Sequence, residues 1–194
     1  MDSLSIVRKS YTDSLSAKEG FFTEENSALL VKAAESIATC FKAGGKLLLM
    51  GNGGSAADAQ HVAAEFVNRF VIERPPLPAL ALTTDTSTIT SIGNDYAFDQ
   101  VFVKQIRALG KEGDVLLAIS TSGNSINVVS GAAAAASMGI KIISLTGAGG
   151  GKLGEKADIA LAATGATTAR VQEVHITALH ILCELVDYML FEKV

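Results

Sequence analysis

Residues 47–65 read LLLMGNGGSAADAQHVAAE. An apolar block runs into a corner of three glycines and a serine, and the stretch beyond carries His61 and Glu65 four residues apart. Apolar residues without polar alternation predict a strand covered on both faces. The small residues that follow predict a tight strand-to-helix corner, where backbone N–H groups can come close to a ligand.

Working outward, similar apolar runs recur as KLLLM (46–50), ALAL (79–82), DVLLAIS (114–120), KIISLT (141–146) and DIALAA (158–163). Enough chain separates each from the next for a helix, which is the pattern of an α/β protein with a parallel sheet. Upstream, Leu29, Leu30, Ala33, Ala34, Ile37 and Phe41 recur at helical spacing, with Thr23 as N-cap and Gly44-Gly45 as stop, predicting a helix over 23–43. The first 20 or so residues predict a further helix outside the core, and a long helix over 168–192 closes the chain. The expected fold is a three-layer sandwich, a five-stranded parallel sheet flanked by helices, in a single domain over 1–194 with an N-terminal helical extension over about 1–43. Arg74-Pro75-Pro76-Leu77-Pro78 marks a stiff entry to the second strand.

Composition bounds the function. With 194 residues, 48% apolar and 19% charged, the chain can bury a sizeable core. A net charge of −4 offers no basic field for a nucleic-acid backbone, so nucleic acid is not expected as a direct partner and any anion must be held locally. Cys40 and Cys183 lack metal-type spacing and read as reduced thiols. The opening MDSLSIVRKSYTDSL has no unbroken apolar core behind a positive start, and no run reaches the roughly 18 apolar residues of a membrane span. The expectation is a soluble, cytoplasmic protein with no membrane partner.

Two strand ends share a design. Gly51-Asn52-Gly53-Gly54-Ser55 follows the first strand, and Ser120-Thr121-Ser122-Gly123-Asn124-Ser125 follows the third. Both are strings of small residues leading into a helix whose N-terminus favours negative charge, and in open parallel sheets ligands sit outside the carboxyl ends of strands. The hydroxyl-rich loop is the better phosphate cradle; one such loop alone also serves as an ordinary tight turn, but two in one sheet favour a ligand. Gly51-x-Gly53-x-x-Ala56 is a permitted variant of the dinucleotide fingerprint, but spacing argues against that site, because the acidic residue expected about 20 residues on is reached only at Asp85. Gly147-Ala148-Gly149-Gly150-Gly151-Lys152 fails as a nucleotide loop, with Thr146 at the first glycine position and Leu153 in place of a metal-binding hydroxyl, and reads as a flexible loop.

On a helix starting near Ser55, His61 and Glu65 share one face about 6 Å apart, able to reach one metal or one substrate. Such a pair also serves as a plain surface hydrogen bond. The C-terminal helix adds Gln172, Glu173, His175 and His180 among Val171, Val174, Ile176, Leu179, Ile181 and Leu182. Within that set His175 reads as structural, and His180 as either a satisfied core histidine or a functional one. Glu173, seven residues before His180 and nearly in line with it, is a candidate to orient that imidazole or else a solvent or subunit-contact carboxylate.

Together, Gly51–Ser55, His61 with Glu65, Gly93-Asn94-Asp95, Gly113-Asp114-Val115 through Ser125, and Gln172-Glu173 with His180 resemble the phosphoheptose isomerase family of the sugar-isomerase (SIS) superfamily over about residues 25–190. The resemblance implies the SIS fold and a cytoplasmic homotetramer with composite active sites. It also implies an aldose–ketose isomerase converting sedoheptulose 7-phosphate to D-glycero-D-manno-heptose 7-phosphate for bacterial surface polysaccharide such as lipopolysaccharide. Carried across by residue, it places zinc at His61, Glu65, Gln172 and His180. Substrate would meet Asn52, Gly53, Gly54, Ser55, Glu65, Asn94, Asp95, Ser120, Thr121, Ser122, Ser125 and Gln172. Ala169 stands where some members carry an aspartate, and the short segment Ala162–Thr168 leaves a small pocket rim. The alternative resemblance, carried by "SAADAQH", "NRF" and "ERPPLPALAL", is to a non-enzymatic tetrameric SIS scaffold that binds the bacterial replication initiator; such relatives lack the acid–base pair that this chain keeps.

The implied chemistry suits the residues. Moving a proton between C1 and C2 through an enediol asks for a base at carbon and a group that manages charge on oxygen, which assigns Glu65 as base and His180 as its acid–base partner. Zinc accepts imidazole, carboxylate and amide oxygen and polarises carbonyls. A carboxylate bound tightly to zinc is a poor base, so Glu65 must be a loose ligand, change its mode in turnover, or hold one role only. Gln172 and His180 lie about 12 Å apart along a regular helix and roughly 80° around it, so they can meet one ion only from opposite sides or through a distorted first turn.

Overall fold

A computed structural model describes residues 2–192. In chain order the elements are α1 (Ser3–Phe21), α2 (Glu24–Lys42), β1 (Leu47–Gly51), α3 (Gly54–Val67), β2 (Ala79–Ala81), α4 (Thr86–Asp95), a 3-10 turn at Phe98–Gln100, α5 (Val101–Leu109), β3 (Val115–Ser120), α6 (Ile126–Ser137), β4 (Lys141–Gly147), the single turn α7 (Gly151–Gly154), β5 (Ile159–Ala163) and α8 (Thr168–Asp187). The start of α2 follows from its cap: the Thr23 hydroxyl accepts from Asn26 N at 3.3 Å, with Glu24 and Glu25 in the first turn and Lys42 in the last.

All strand pairings are parallel and the order is β2-β1-β3-β4-β5. Side chains alternate between faces of the pleat. Leu47, Leu49, Leu117, Ile119, Ile143, Leu145 and Leu161 face a core shared with α1, α2, α3 and α8. Leu48, Met50, Leu116, Ala118 and Ile142 face a second core with α4, α5 and α6. Both faces are therefore covered, which is why β1 and β3 read as unbroken apolar runs. A fully buried residue such as Leu117 contributes about 1.5–3 kcal/mol by leaving water.

The register of the two central strands is pinned at their N-terminal ends. Asp114 is 1% exposed; its carboxylate accepts from the backbone N–H of Lys46 and of Lys111, both at 2.9 Å, and from Lys46 Nζ at 2.5 Å. Fixing Lys46 beside Asp114 sets where β1 and β3 end, five and six residues later, at the glycine and serine loops.

Between β1 and β3 the order of the strands reverses: from β1 the chain moves out to the edge strand β2, then returns to the other side of β1 for β3. A crevice at such a reversal, outside the carboxyl ends, is where open α/β sheets take ligands. By length and composition Thr168–Glu192, which includes α8, could also cross a membrane, with a mean hydropathy of 1.5. Its Val171, Val174, Leu179, Leu182 and Val186 are buried in the first core, the place of a core helix in a sheet protein.

One expectation needs correction. The glycine-rich segment after β4 is not a free loop; it folds onto the serine loop, with Gly147 N donating to Thr121 O at 3.0 Å and Leu153 N to Gly123 O at 2.9 Å.

Candidate active site

Helix α3 leaves the glycine corner and runs beside α8. The two touch at two matching levels. At the first, Gln172 lies across Gly54 so closely that an added Cβ there would stand 2.2 Å from Gln172 Nε2 and push the amide aside. At the second, two turns on, His61 Nε2 and His180 Nε2 are 2.8 Å apart. Seven residues separate the two levels on α3 and eight on α8, so the helices run in the same direction. At that distance the two ring nitrogens can share one hydrogen bond, with either imidazole as donor. Glu65 Oε1 lies 3.4 Å from His61 Nε2. The Phe70 ring stacks on His180 with centroids 5.6 Å apart, which holds the imidazole in place.

Arg74 fixes this cluster from behind. Its side chain is 1% exposed; Nη2 donates to Glu65 O at 2.8 Å and Nη1 to Phe66 O at 2.7 Å, satisfying carbonyls that the C-terminus of α3 leaves open. The helix has no basic residue of its own in its last turn, so the guanidinium also supplies the cation that its dipole favours. Arg74 Nε donates to Asp187 Oδ1 at 2.9 Å, tying the end of α3 to the end of α8.

Across the strand reversal, Asn52 in the glycine corner and Asn127 at the start of α6 exchange amide hydrogen bonds at 2.8 and 2.9 Å. Asn127 is 4% exposed and also accepts from Val128 N. This pair locks the first loop to the helix behind the second. In the second loop Ser120 Oγ donates to Ser125 Oγ at 3.1 Å and lies 3.5 Å from Ser122 Oγ, a cluster of hydroxyls around one point. Beside the glycine corner is a cleft of about 190 Å³ lined by Gly51, Asn52, Gly53, Thr83 and Phe98 among others. A larger hollow of about 660 Å³ lies at the opposite ends of the strands, around Gly113, Asp114, Lys141 and Asp158, and holds none of the candidate residues.

The named residues thus fall into three groups: His61, Glu65 and His180; Gln172 over Gly54, with Gly53 beside and Ser55 buried; and Ser120, Thr121, Ser122 and Ser125. Asn94 and Asp95, at the exposed end of α4, hydrogen-bond each other at 2.9 Å and meet none of these groups. Asp85 caps α4 by accepting from Thr88 N at 2.9 Å, and this bond holds its carboxyl below the usual range. Glu173 does not reach His180. It pairs with Arg170 at 2.5 Å, because seven residues along a helix is two full turns while Arg170 is one turn away. His175 is fully buried and Nε2 donates to Thr146 O at 2.9 Å; burial lowers its pKa, partly offset by that bond. Arg74, Asp187, Asn127 and Phe70 were not legible as site residues. The signal for Arg74 was its place in a stiff proline-rich stretch, and nothing in the spacing points to Asp187 or Asn127.

The donors fit zinc in kind: two imidazole nitrogens and a carboxylate converge. They are not preassembled, and among the described residues no group of three or more His, Cys, Asp or Glu stands at metal-holding spacing. Two nitrogens on one tetrahedral zinc at about 2.0–2.1 Å each stand roughly 3.3 Å apart, so His61 and His180 would open by about half an ångström. Gln172, held at the Gly54 level, would have to swing toward them.

A fold with glycine and serine loops at its strand reversal and an imidazole–carboxylate cluster between α3 and α8 has close counterparts. The SIS domain model matches residues 10–147. The phosphoheptose isomerase of Desulfovibrio desulfuricans is 51% identical over 98% of this chain and 90% of its own length, and that of Nitratidesulfovibrio vulgaris is 58% identical over 91% and 85%. The chain belongs to the phosphoheptose isomerase family of SIS-domain proteins. Among solved structures, the phosphoheptose isomerase of Francisella tularensis superposes with a TM-score of 0.92 at 41% identity, covering 96% of this chain and 99% of the other. That of Neisseria gonorrhoeae gives 0.88 at 45%, with the same coverage. The binding-scaffold alternative gains no support from these phosphoheptose isomerase relatives.

Proposed function

We propose that this chain isomerises sedoheptulose 7-phosphate to D-glycero-D-manno-heptose 7-phosphate, in the supply of heptose for bacterial surface polysaccharide. What carries the reading is the meeting of His61, Glu65 and His180 between α3 and α8, within a chain that shares half its residues with phosphoheptose isomerases. Ser120, Thr121, Ser122 and Ser125 hold the phosphate, and the glycine corner with Gln172 holds the sugar chain. Glu65 takes the proton from C1 of the ketose and returns it at C2 through the enediol. His180 exchanges protons at the oxygens, with His61 as hydrogen-bond partner. Arg74, bound to the Glu65 carbonyl, holds the base in place.

Zinc would be held by His61, Glu65 and His180, with Gln172 if its amide leaves Gly54; when bound it supplies a Lewis acid that polarises the carbonyl and diol oxygens. Self-association, as a tetramer with composite sites, is supported by α1, which turns Leu4, Val7, Tyr11 and Leu15 outward at 69, 65, 66 and 42% exposure, a stripe of apolar residues on one helix face. A cytoplasmic location belongs to the same reading.

The test is a coupled assay with sedoheptulose 7-phosphate and added zinc. Turnover by the parent is expected, with Ser120→Ala and Ser122→Ala raising KM more than they lower kcat, because a phosphate grip is made equally in the ground and transition states. No turnover with zinc-loaded parent protein would sink the proposal.

A further inference from the structure

The segment Gly147-Ala148-Gly149-Gly150-Gly151-Lys152 has no part in the chemistry above, yet it is built against the serine loop with little tolerance. Three hydrogen bonds cross between them: Gly147 N to Thr121 O at 3.0 Å, Leu153 N to Gly123 O at 2.9 Å and Lys152 N to Asn124 Oδ1 at 3.2 Å. Asn124 passes the restraint on, with Nδ2 donating to Ser122 O at 2.9 Å and its backbone N–H to Ser122 Oγ at 3.1 Å. Contact is backbone on backbone. A Cβ on Gly147 would stand 2.2 Å from Thr121 O, and one on Gly123 would stand 2.1 Å from Gly150 O. Real Cβ atoms do not approach below about 3 Å, so any side chain at either position drives the two loops apart.

We propose that the end of β4 and the glycine turn running into α7 brace the phosphate cradle, with Gly147 and Asn124 as positioning residues for the sugar phosphate. The physical reason lies in the peptide groups. An unsupported loop of small residues can turn its peptides over, and a turned peptide presents a carbonyl oxygen to the anion and repels it. Donors from the brace hold the carbonyls of Thr121 and Gly123, so those oxygens cannot swing toward the phosphate. Preorganisation of this kind strengthens binding by removing the ordering cost. Glycine at 147 and 151 therefore serves close approach of two backbones, while Gly149 and Gly150 turn the chain through positive φ. The proposal rests on the reading of Ser120–Ser125 as the phosphate site.

The experiment compares Gly147→Ala, Asn124→Ala and, as control, Gly154→Ala, whose added methyl meets nothing within 4 Å. Each is read by KM and kcat for sedoheptulose 7-phosphate, by calorimetric titration with inorganic phosphate, and by circular dichroism. Gly147→Ala is expected to weaken phosphate binding and raise KM by at least about tenfold, since binding must then supply the ordering cost that the brace removes, with kcat changed far less. Asn124→Ala, which adds no bulk and leaves the fold intact, is expected to move both in the same direction by a smaller factor. Gly154→Ala should match the parent. Unchanged phosphate affinity in folded Gly147→Ala overturns the brace; if that variant does not fold, unchanged affinity in Asn124→Ala does so. Phosphate affinity is read without turnover, so an inactive parent would defeat the isomerase reading and leave this comparison standing.

Discussion

His61 Nε2 and His180 Nε2 stand 2.8 Å apart although 119 residues separate them in the chain. The contact joins α3 to α8 at the level of Glu65 and makes each imidazole the other's partner. Replacing His180 by glutamine removes a ring that Phe70 stacks on and a nitrogen that zinc favours. Zinc retention after dialysis against a chelator is expected to fall at least about tenfold, while the fold persists because His180 is half-buried and its loss opens no large apolar cavity. Zinc content equal to the parent's would remove His180 from the ligand set.

Arg74 and Asp187 form a buried ion pair with side-chain exposures of 1% and 4%. Among the described residues Asp187 Oδ2 has no partner of its own, so the guanidinium is what compensates this carboxylate. Arg74→Met leaves a buried charge unpaired and frees the carbonyls of Glu65 and Phe66, and is expected to cost about 3–5 kcal/mol in urea unfolding. Arg74→Lys keeps the charge but cannot reach Asp187 and two carbonyls at once, and should fall between. A loss below about 1 kcal/mol for Arg74→Met would show that the clamp does not hold the two helices.

His175 gives the fold a pH dependence of known sign. Burial lowers its pKa below the ordinary 6.5, so the unfolded chain takes up this proton at a higher pH than the folded one. Stability contributed by the neutral, buried ring is complete above about pH 6.5 and is lost as pH falls from there toward the folded value. His175→Gln lacks this titration, so its stability deficit relative to the parent should shrink between pH 7 and pH 5 in denaturant melts. Parallel pH slopes for the two proteins would contradict the assignment.

Much of the fold was legible because its signals are local. Thr23 and Gly44 bound α2 by cap chemistry, and the unbroken run from Leu47 to Met50 reports a strand covered on both faces. The site was legible only in pieces. His61 and Glu65 share a helix, so their spacing places them together; that His180 meets them depends on α3 and α8 lying side by side, which no spacing encodes. Asn127 and Asp187 act through partners 75 and 113 residues away. Of the two readings of Glu173, the one that placed it beside His180 fails because a helical wheel ignores rise, and the glycines after β4 misled because composition does not distinguish a mobile backbone from one packed against another.

The central claim is that Glu65 moves a proton between adjacent carbons of a sugar phosphate. The direct measurement is to incubate zinc-loaded protein with sedoheptulose 7-phosphate in deuterium oxide and follow the label at C2 of the aldose by NMR. A base exchanging its proton with solvent during the enediol's lifetime leaves deuterium there. The parent is expected to form labelled heptose 7-phosphate, and Glu65→Gln, which keeps size and hydrogen bonding but lacks the base, to do so at least ~10²-fold more slowly. Absence of heptose 7-phosphate with the parent, or equal rates in the two proteins, would contradict the account.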